Sequence, residues 1–208
     1  MACRVLHRTF ASAVARAALL CVLASSVTAT AASAQTAPVF EISQAGSTVK
    51  FFVSASMSVS GTFDNWNATL TFASNDASTG VLDIKIQAAS VDTGSGLKDS
   101  TLKGGDFFDV ANSPLIRFHS TSIKPTGPNT FDMVGDFTIR GVTKPQTLML
   151  TVSGAGTGSG TIKGTMSFNR KDYGINGSIP LVRIADRVDV TVDLKATRVS
   201  GPALTLGK

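Results

Sequence analysis

Cysteine is almost absent from this 208-residue chain: there are two, Cys3 and Cys21, both within the first 34 residues. Beyond Ala34 there is no thiol, which excludes disulfide frameworks, thiolate metal sites and cysteine nucleophiles from that part of the chain. Histidine and glutamate are as scarce, with His119 and Glu41 the sole examples after residue 34. A Ser-His-Asp hydrolase acting on lipid-like substrates would therefore have to be assembled around one imidazole. The aspartates are spread singly without metal-ligand spacing, so neither a metal nor any other cofactor is expected. Long hydrophobic runs are also missing. The longest, residues 17–27, spans about 11 residues against the roughly 20 that a membrane-crossing helix needs, so the chain is not expected to be an integral membrane protein.

That run has a meaning of its own. Arg4, His7, Arg8 and Arg16 make an acid-free basic start, the apolar stretch follows, and Ala32-Ser33-Ala34 offers a small-x-small cleavage site. Residues 1–34 are expected to be a cleaved export signal and 35–208 a single exported domain, with Ala31 as the alternative cut. Leu20 before Cys21 argues against a lipoprotein signal, where a small residue is expected. Three of the 19 Lys and Arg go with the signal, leaving 16 against 14 acidic residues. No basic cluster interleaved with aromatics appears, so nucleic acid is not an expected partner.

Alternation with period two dominates what remains. In Val81–Ala88, Leu82, Ile84, Ile86 and Ala88 share one face while Asp83, Lys85 and Gln87 share the other, which a half-buried strand requires. The pattern recurs around Val49, Phe51 and Val53; Leu70 and Phe72; Ile116 and Phe118; Phe131, Met133 and Phe137; Leu148, Leu150 and Val152; Ile162, Met166 and Phe168; and Val188, Val190, Val192 and Leu194. Turn-forming stretches separate the segments. About eight antiparallel strands are expected, and only Leu97–Val110 breaks the rhythm, with helical spacing that stops at Gly104-Gly105. One or two brief helices are placed there. Strands with one apolar face each must stack as a sandwich or close into a barrel, and an eight-stranded barrel interior is either just filled or just able to hold one small ligand. The small inward residues Ala88 and Gly164 leave room for the second case.

The remaining motifs are plain. Gly154–Gly164 lacks both phosphate-loop spacings and is followed by a strand, so it reads as a hairpin loop. The sequon at Asn67 lies within a strand and is read as chance. Phe107-Phe108 either plugs the core or roofs the mouth of a cavity. Phe52, on an otherwise polar strand face, is a candidate partner or homodimer contact. Alternation puts His119 on the polar face, where a solvated sheet histidine is the ordinary reading.

Several segments together resemble the YceI-like family: Ala89–Thr93, Lys98-Asp99 with Leu102, Asp106–Asp109, Pro114 with Phe118, Gly135–Ile139 leading into Gly141–Pro145, Arg170–Ile175, and Val188–Ala196. The resemblance covers about residues 40–197. It implies an all-β, lipocalin-like antiparallel barrel in the periplasm that binds a polyisoprenoid or another long amphiphile, and is associated with stress tolerance and isoprenoid-quinone handling. It implies no catalysis. Gly46, Ala55 and Thr101 stand where family members usually carry histidines, so head-group recognition through those side chains is not expected here.

The expected ligand is a long isoprenoid or fatty-acyl chain exchanged with membranes. Even about 0.3 kcal/mol per heavy atom gives binding tighter than micromolar for a chain of roughly 30 to 40 carbons. The expected lining is Val49, Phe51, Val53, Leu70, Phe72, Leu82, Ile84, Ile86, Phe107, Phe108, Ile116, Phe118, Phe131, Met133, Phe137, Leu148, Leu150, Met166 and Phe168. Trp66 and Tyr173 are expected as amphipathic contacts near a barrel end. The competing reading is a filled barrel that docks a partner through its outer face or through the Gly154–Gly160 loop.

Overall fold

A computed structural model describes residues 37–206 apart from positions 57, 155, 179, 180 and 182. The expected export signal lies outside the described residues. Ten strands and one α-helix follow in the order β1 (Val39–Ala55), β2 (Val59–Phe63), β3 (Trp66–Phe72), β4 (Gly80–Gln87), β5 (Val91–Asp92), α1 (Gly96–Lys103), β6 (Leu115–Gly127), β7 (Thr130–Ile139), β8 (Val142–Ser153), β9 (Ser159–Asn169) and β10 (Ile184–Ser200). Ten strands replace the expected eight because β2 and β5 are too short for alternation to reveal them.

All strands belong to one sheet in the order β3-β4-β6-β7-β8-β9-β10-β1-β2-β5, with every neighbouring pair antiparallel. The sheet curls until edge strand β3 returns to β1. There the Phe40 and Phe72 rings meet at 5.6 Å between centroids, and the Gln44 side-chain amide donates to the Trp66 carbonyl. Because the side-chain period is two, curling puts every apolar face inside at once. The resulting core joins buried residues from all ten strands, Val91 of the short β5 included, to the turn around Phe107.

One expectation about the interior is corrected. Gly164 does not leave room: a Cβ there would meet Val192 Cγ2 at 2.7 Å and Leu150 Cδ2 at 2.9 Å, so neighbouring side chains already occupy its space. The helix falls within the expected stretch, and none of its residues is fully buried. Asp99, in its first turn, accepts from the Thr93 N–H at 2.9 Å and hydroxyl at 2.7 Å, which ties the helix to the loop after β5. Among the described residues, no helix is long and apolar enough to cross a membrane.

Candidate functional site

The strand register sends the end of β1, the start of β6, the ends of β4, β7 and β9, and the start of β10 to one end of the curled sheet. At that end lies a cavity of about 580 Å³. Its walls are Val49, Phe51 and Val53 from β1, Val59 and Phe63 from β2, Ile86, Ile116, Phe137, Ile139 and Phe168, with Ile184, Val188 and Val190 from β10. Leu97, Lys98, Thr101 and Leu102 of α1, Phe107 and Phe108 of the following turn, and Arg170, Ile175 and Ser178 complete it. The lining is thus almost wholly apolar, and its few polar groups gather beside the helix and the loop after β9.

The two phenylalanines satisfy both readings of their motif. Both rings are buried, and Phe108 packs edge-on to Phe51 at 6.3 Å and against Phe63 at 5.9 Å, while both face the cavity from the helix side. Gly177 seats this roof. A Cβ on it would meet Phe107 Cε2 at 2.5 Å, and its N–H donates to the Asp106 carbonyl at 2.9 Å.

Arg170 is the one charged residue in the wall that is itself buried, at 7% exposure. Its guanidinium donates to the carbonyls of Ala185 (3.1 Å), Ile175 (2.8 Å) and Gly177 (3.0 Å), and pairs with Asp186 at 3.3 Å. A buried cation so paired and bonded is a brace for the loop that carries Ile175 and Ser178.

Of the 19 residues expected to line a cavity, Val49, Phe51, Val53, Ile86, Phe107, Phe108, Ile116, Phe137 and Phe168 line this one. Leu70, Phe72, Phe131, Met133 and Leu150 lie at the opposite end, around a pocket of only about 80 Å³. There Leu204 and Leu206 of the C-terminal segment and the Gly154–Gly160 hairpin close the sheet. Leu82, Ile84, Phe118 and Leu148 border neither, and with Met166 they belong to the packed core between the two ends. Val188 and Val190 were legible from their alternation. So was Ile139, which continues the alternation of Phe131, Met133 and Phe137. Val59 and Phe63 of the five-residue β2 and the helix residues were not, because so short a strand shows no clear period and the helix lies outside the alternation.

Trp66 and Tyr173 lie in the core and outside the cavity lining. Tyr173 instead fills a gap in the sheet. β8 pairs with β9 only between Met149–Ser153 and Thr161–Thr165, so over Val142–Leu148 the two strands part. The Tyr173 ring enters there, 5.4 Å from Phe137 and 5.2 Å from Phe168, and its hydroxyl accepts from Gln146 Nε2 at 3.0 Å. Burial pushes its phenol above the usual range, outweighing the Gln146 bond.

His119 projects from the outer face. Its Nδ1 lies 3.1 Å from Asp83 Oδ2, and Arg117 also bonds that carboxylate. Burial alone would raise the Asp83 carboxyl, but the Arg117 hydrogen bond and charge, with His119, hold it below the ordinary carboxylate range.

A family model described as the YceI-like domain matches residues 40–196. A UPF0312 protein of Pseudomonas syringae pv. tomato is 33% identical over 140 residues, covering 65% of this chain and 72% of its own length. Among solved structures, BcnA of Burkholderia cenocepacia superposes with a TM-score of 0.69 at 26% identity, over 76% of this chain and all of its own. A polyisoprenoid binding domain from Saccharophagus degradans, implicated in plant cell wall breakdown, gives 0.60 at 13% identity over 77% and 99%. At that identity the likeness concerns the fold.

Proposed function

The chain belongs to the YceI-like family, and from that premise we propose that it is a non-catalytic binding protein that takes the apolar chain of an isoprenoid-type or similar amphiphile into its cavity. The observation that carries this reading is the cavity itself: about 580 Å³ with an almost wholly apolar wall and polar groups only near its roof. Such a site suits a ligand with an apolar body and one polar end. The Saccharophagus domain of the same fold, a polyisoprenoid binder, supports the ligand class.

Volume bounds the ligand. At roughly 30 Å³ for each water-sized or methylene-sized group, the cavity accepts about 20 of them. At about 0.3 kcal/mol per heavy atom that is roughly 6 kcal/mol, a Kd of tens of micromolar; at about 0.8 kcal/mol per methylene it reaches about 16 kcal/mol. A chain of 30 to 40 carbons exceeds this space, and its remainder would extend through the mouth.

His119 supports the non-catalytic part of the proposal, since it faces away from the cavity and is held by Asp83. Export to the periplasm and transfer of the ligand between membranes complete the proposal, the first resting on residues 1–34. Phe52, 42% exposed on the outer face of β1, is the candidate contact for a homodimer.

Native mass spectrometry of the exported protein, followed by solvent extraction and N-terminal sequencing, tests this. The expected result is a chain starting at Gln35 with a polyprenyl, quinone or fatty-acyl species at near-unit stoichiometry. A clean apo mass that also refuses added polyprenyl chains would overturn the binding reading in favour of a filled-barrel interaction protein.

A further inference from the structure

The two most exposed large apolar side chains among the described residues lie at the same end of the molecule. Leu97, at the start of α1, is 81% exposed, and Leu181 is wholly exposed. Leu97 borders the cavity mouth directly. Leu181, itself in a turn, lies in sequence between Ser178 and Ile184, both of which line the cavity. The C-terminal side of that segment is pinned to the end of β1: the Ser56 N–H donates to the Arg183 carbonyl at 3.0 Å, and the Arg183 N–H to Ser56 Oγ at 3.2 Å. The leucines therefore stand on the rim, one on the helix and one on the loop. Their exposure is not typical of this surface, since the other exposed large apolar residues reach at most 56% and all lie within strands.

Each leucine has a basic residue close by in sequence, Lys98 beside Leu97 and Arg183 two positions after Leu181. Of the neighbouring acids, Asp99 is engaged by Thr93, Asp109 by Asn112, and Asp186 by Arg170 and Lys171. Thr93 and Asn112 are neutral, so Asp99 and Asp109 keep their charge and, with Asp106 and Asp172, balance the other cations of this end; the positive charge that matters is local, on Lys98 and Arg183 one and two positions from the exposed leucines. An apolar tip beside a cation is the chemistry of a headgroup layer, where the leucine enters the acyl boundary and the cation stays with the phosphates.

We propose that this end of the barrel docks on a phospholipid bilayer, with Leu97 and Leu181 inserted among the headgroups and Lys98 and Arg183 facing anionic lipid. The cavity then opens toward the membrane, so an acyl or prenyl chain passes from bilayer to barrel without crossing water. The purpose of this surface rests on the amphiphile-binding reading, whereas docking itself can be tested apart from it.

The test is cosedimentation of residues 35–208 with phosphatidylcholine vesicles, with and without phosphatidylglycerol, at low and high salt. The protein is expected to partition onto vesicles, more strongly with phosphatidylglycerol and less at high salt. Leu181→Asp is expected to lower partition roughly tenfold or more. Val199→Asp, which removes a 56% exposed valine at the opposite end, is expected to leave it unchanged. Wild-type protein that ignores both vesicles, or equal partition of Leu181→Asp, would overturn the proposal. So would a Leu181→Asp variant that loses a dimer on size exclusion while keeping its partition, since the surface would then be a self-contact. Capture of a fatty acid in vesicle-free solution is measured in parallel: capture without vesicle partition overturns docking alone, and partition without capture supports docking while overturning the carrier reading.

Discussion

Gln146 on β8 donates a hydrogen bond to the hydroxyl of Tyr173, in the turn after β9, across the place where those two strands cease to pair. The bond holds a buried phenol in the barrel wall between Phe137 and Phe168, which line the cavity on its inner side. Burial keeps that phenol neutral. Its folded pKa lies above the ordinary value of about 10, so its contribution to stability is complete below pH ~10 and is lost as pH rises through the folded value. Tyr173→Phe is expected to flatten the alkaline limb of a stability-against-pH curve. At neutral pH it should cost about 0.5 to 1.5 kcal/mol for the lost bond. Denaturant titrations from pH 7 to 11 measure both effects.

Asp83 gives the opposite sign. Its carboxyl is held low by Arg117 and His119, so the stability it brings is present above the ordinary carboxylate pKa of about 4 and lost as pH falls through the lower folded value. Because Arg117 is nearly half exposed, the neutral-pH cost of Asp83→Asn should stay below about 1 kcal/mol. Acid titration should show a shallower decline for the variant, and ligand binding should not change, because the cluster lies on the outer face.

Gly177 and Phe107 are packed so closely that any side chain on the glycine displaces the ring. Gly177→Ala is expected to destabilise by about 1 to 3 kcal/mol. It should also speed ligand release, since Phe107 roofs the cavity. Thermal melts and a dissociation rate for a fluorescent fatty acid separate the two effects.

Val190 borders the void, and Val190→Phe would fill part of it. Stability should change by less than about 1 kcal/mol, because the ring enters empty space and displaces no packed neighbours. Affinity for long chains should fall more than affinity for short ones. Calorimetry across a series of fatty acids measures the length at which affinity ceases to rise, and a filled barrel would give no such length.

Much of this protein is written in its sequence. Period-two alternation identified the inward residues, because a strand's side chains reach opposite faces whatever its neighbours do. Of the expected lining, all but Phe72 are buried. The helical break at Leu97–Val110 was equally local, set by spacing and stopped by glycines. What alternation cannot encode is where along the barrel an inward residue lies. Phe137 and Phe131 occupy the same face of β7, yet one borders the cavity and the other the closed end. Likewise Gly164 has the size to leave space, but Leu150 and Val192 reach in from neighbouring strands to take it. Tyr173 carries a polar handle suited to a rim, and the parting of β8 from β9 made it a wall plug. Inside or outside is decided within a strand by its own side-chain period. Filled or empty is decided between strands, by register, curl and the loops that close each end, and only the tertiary structure brings those together.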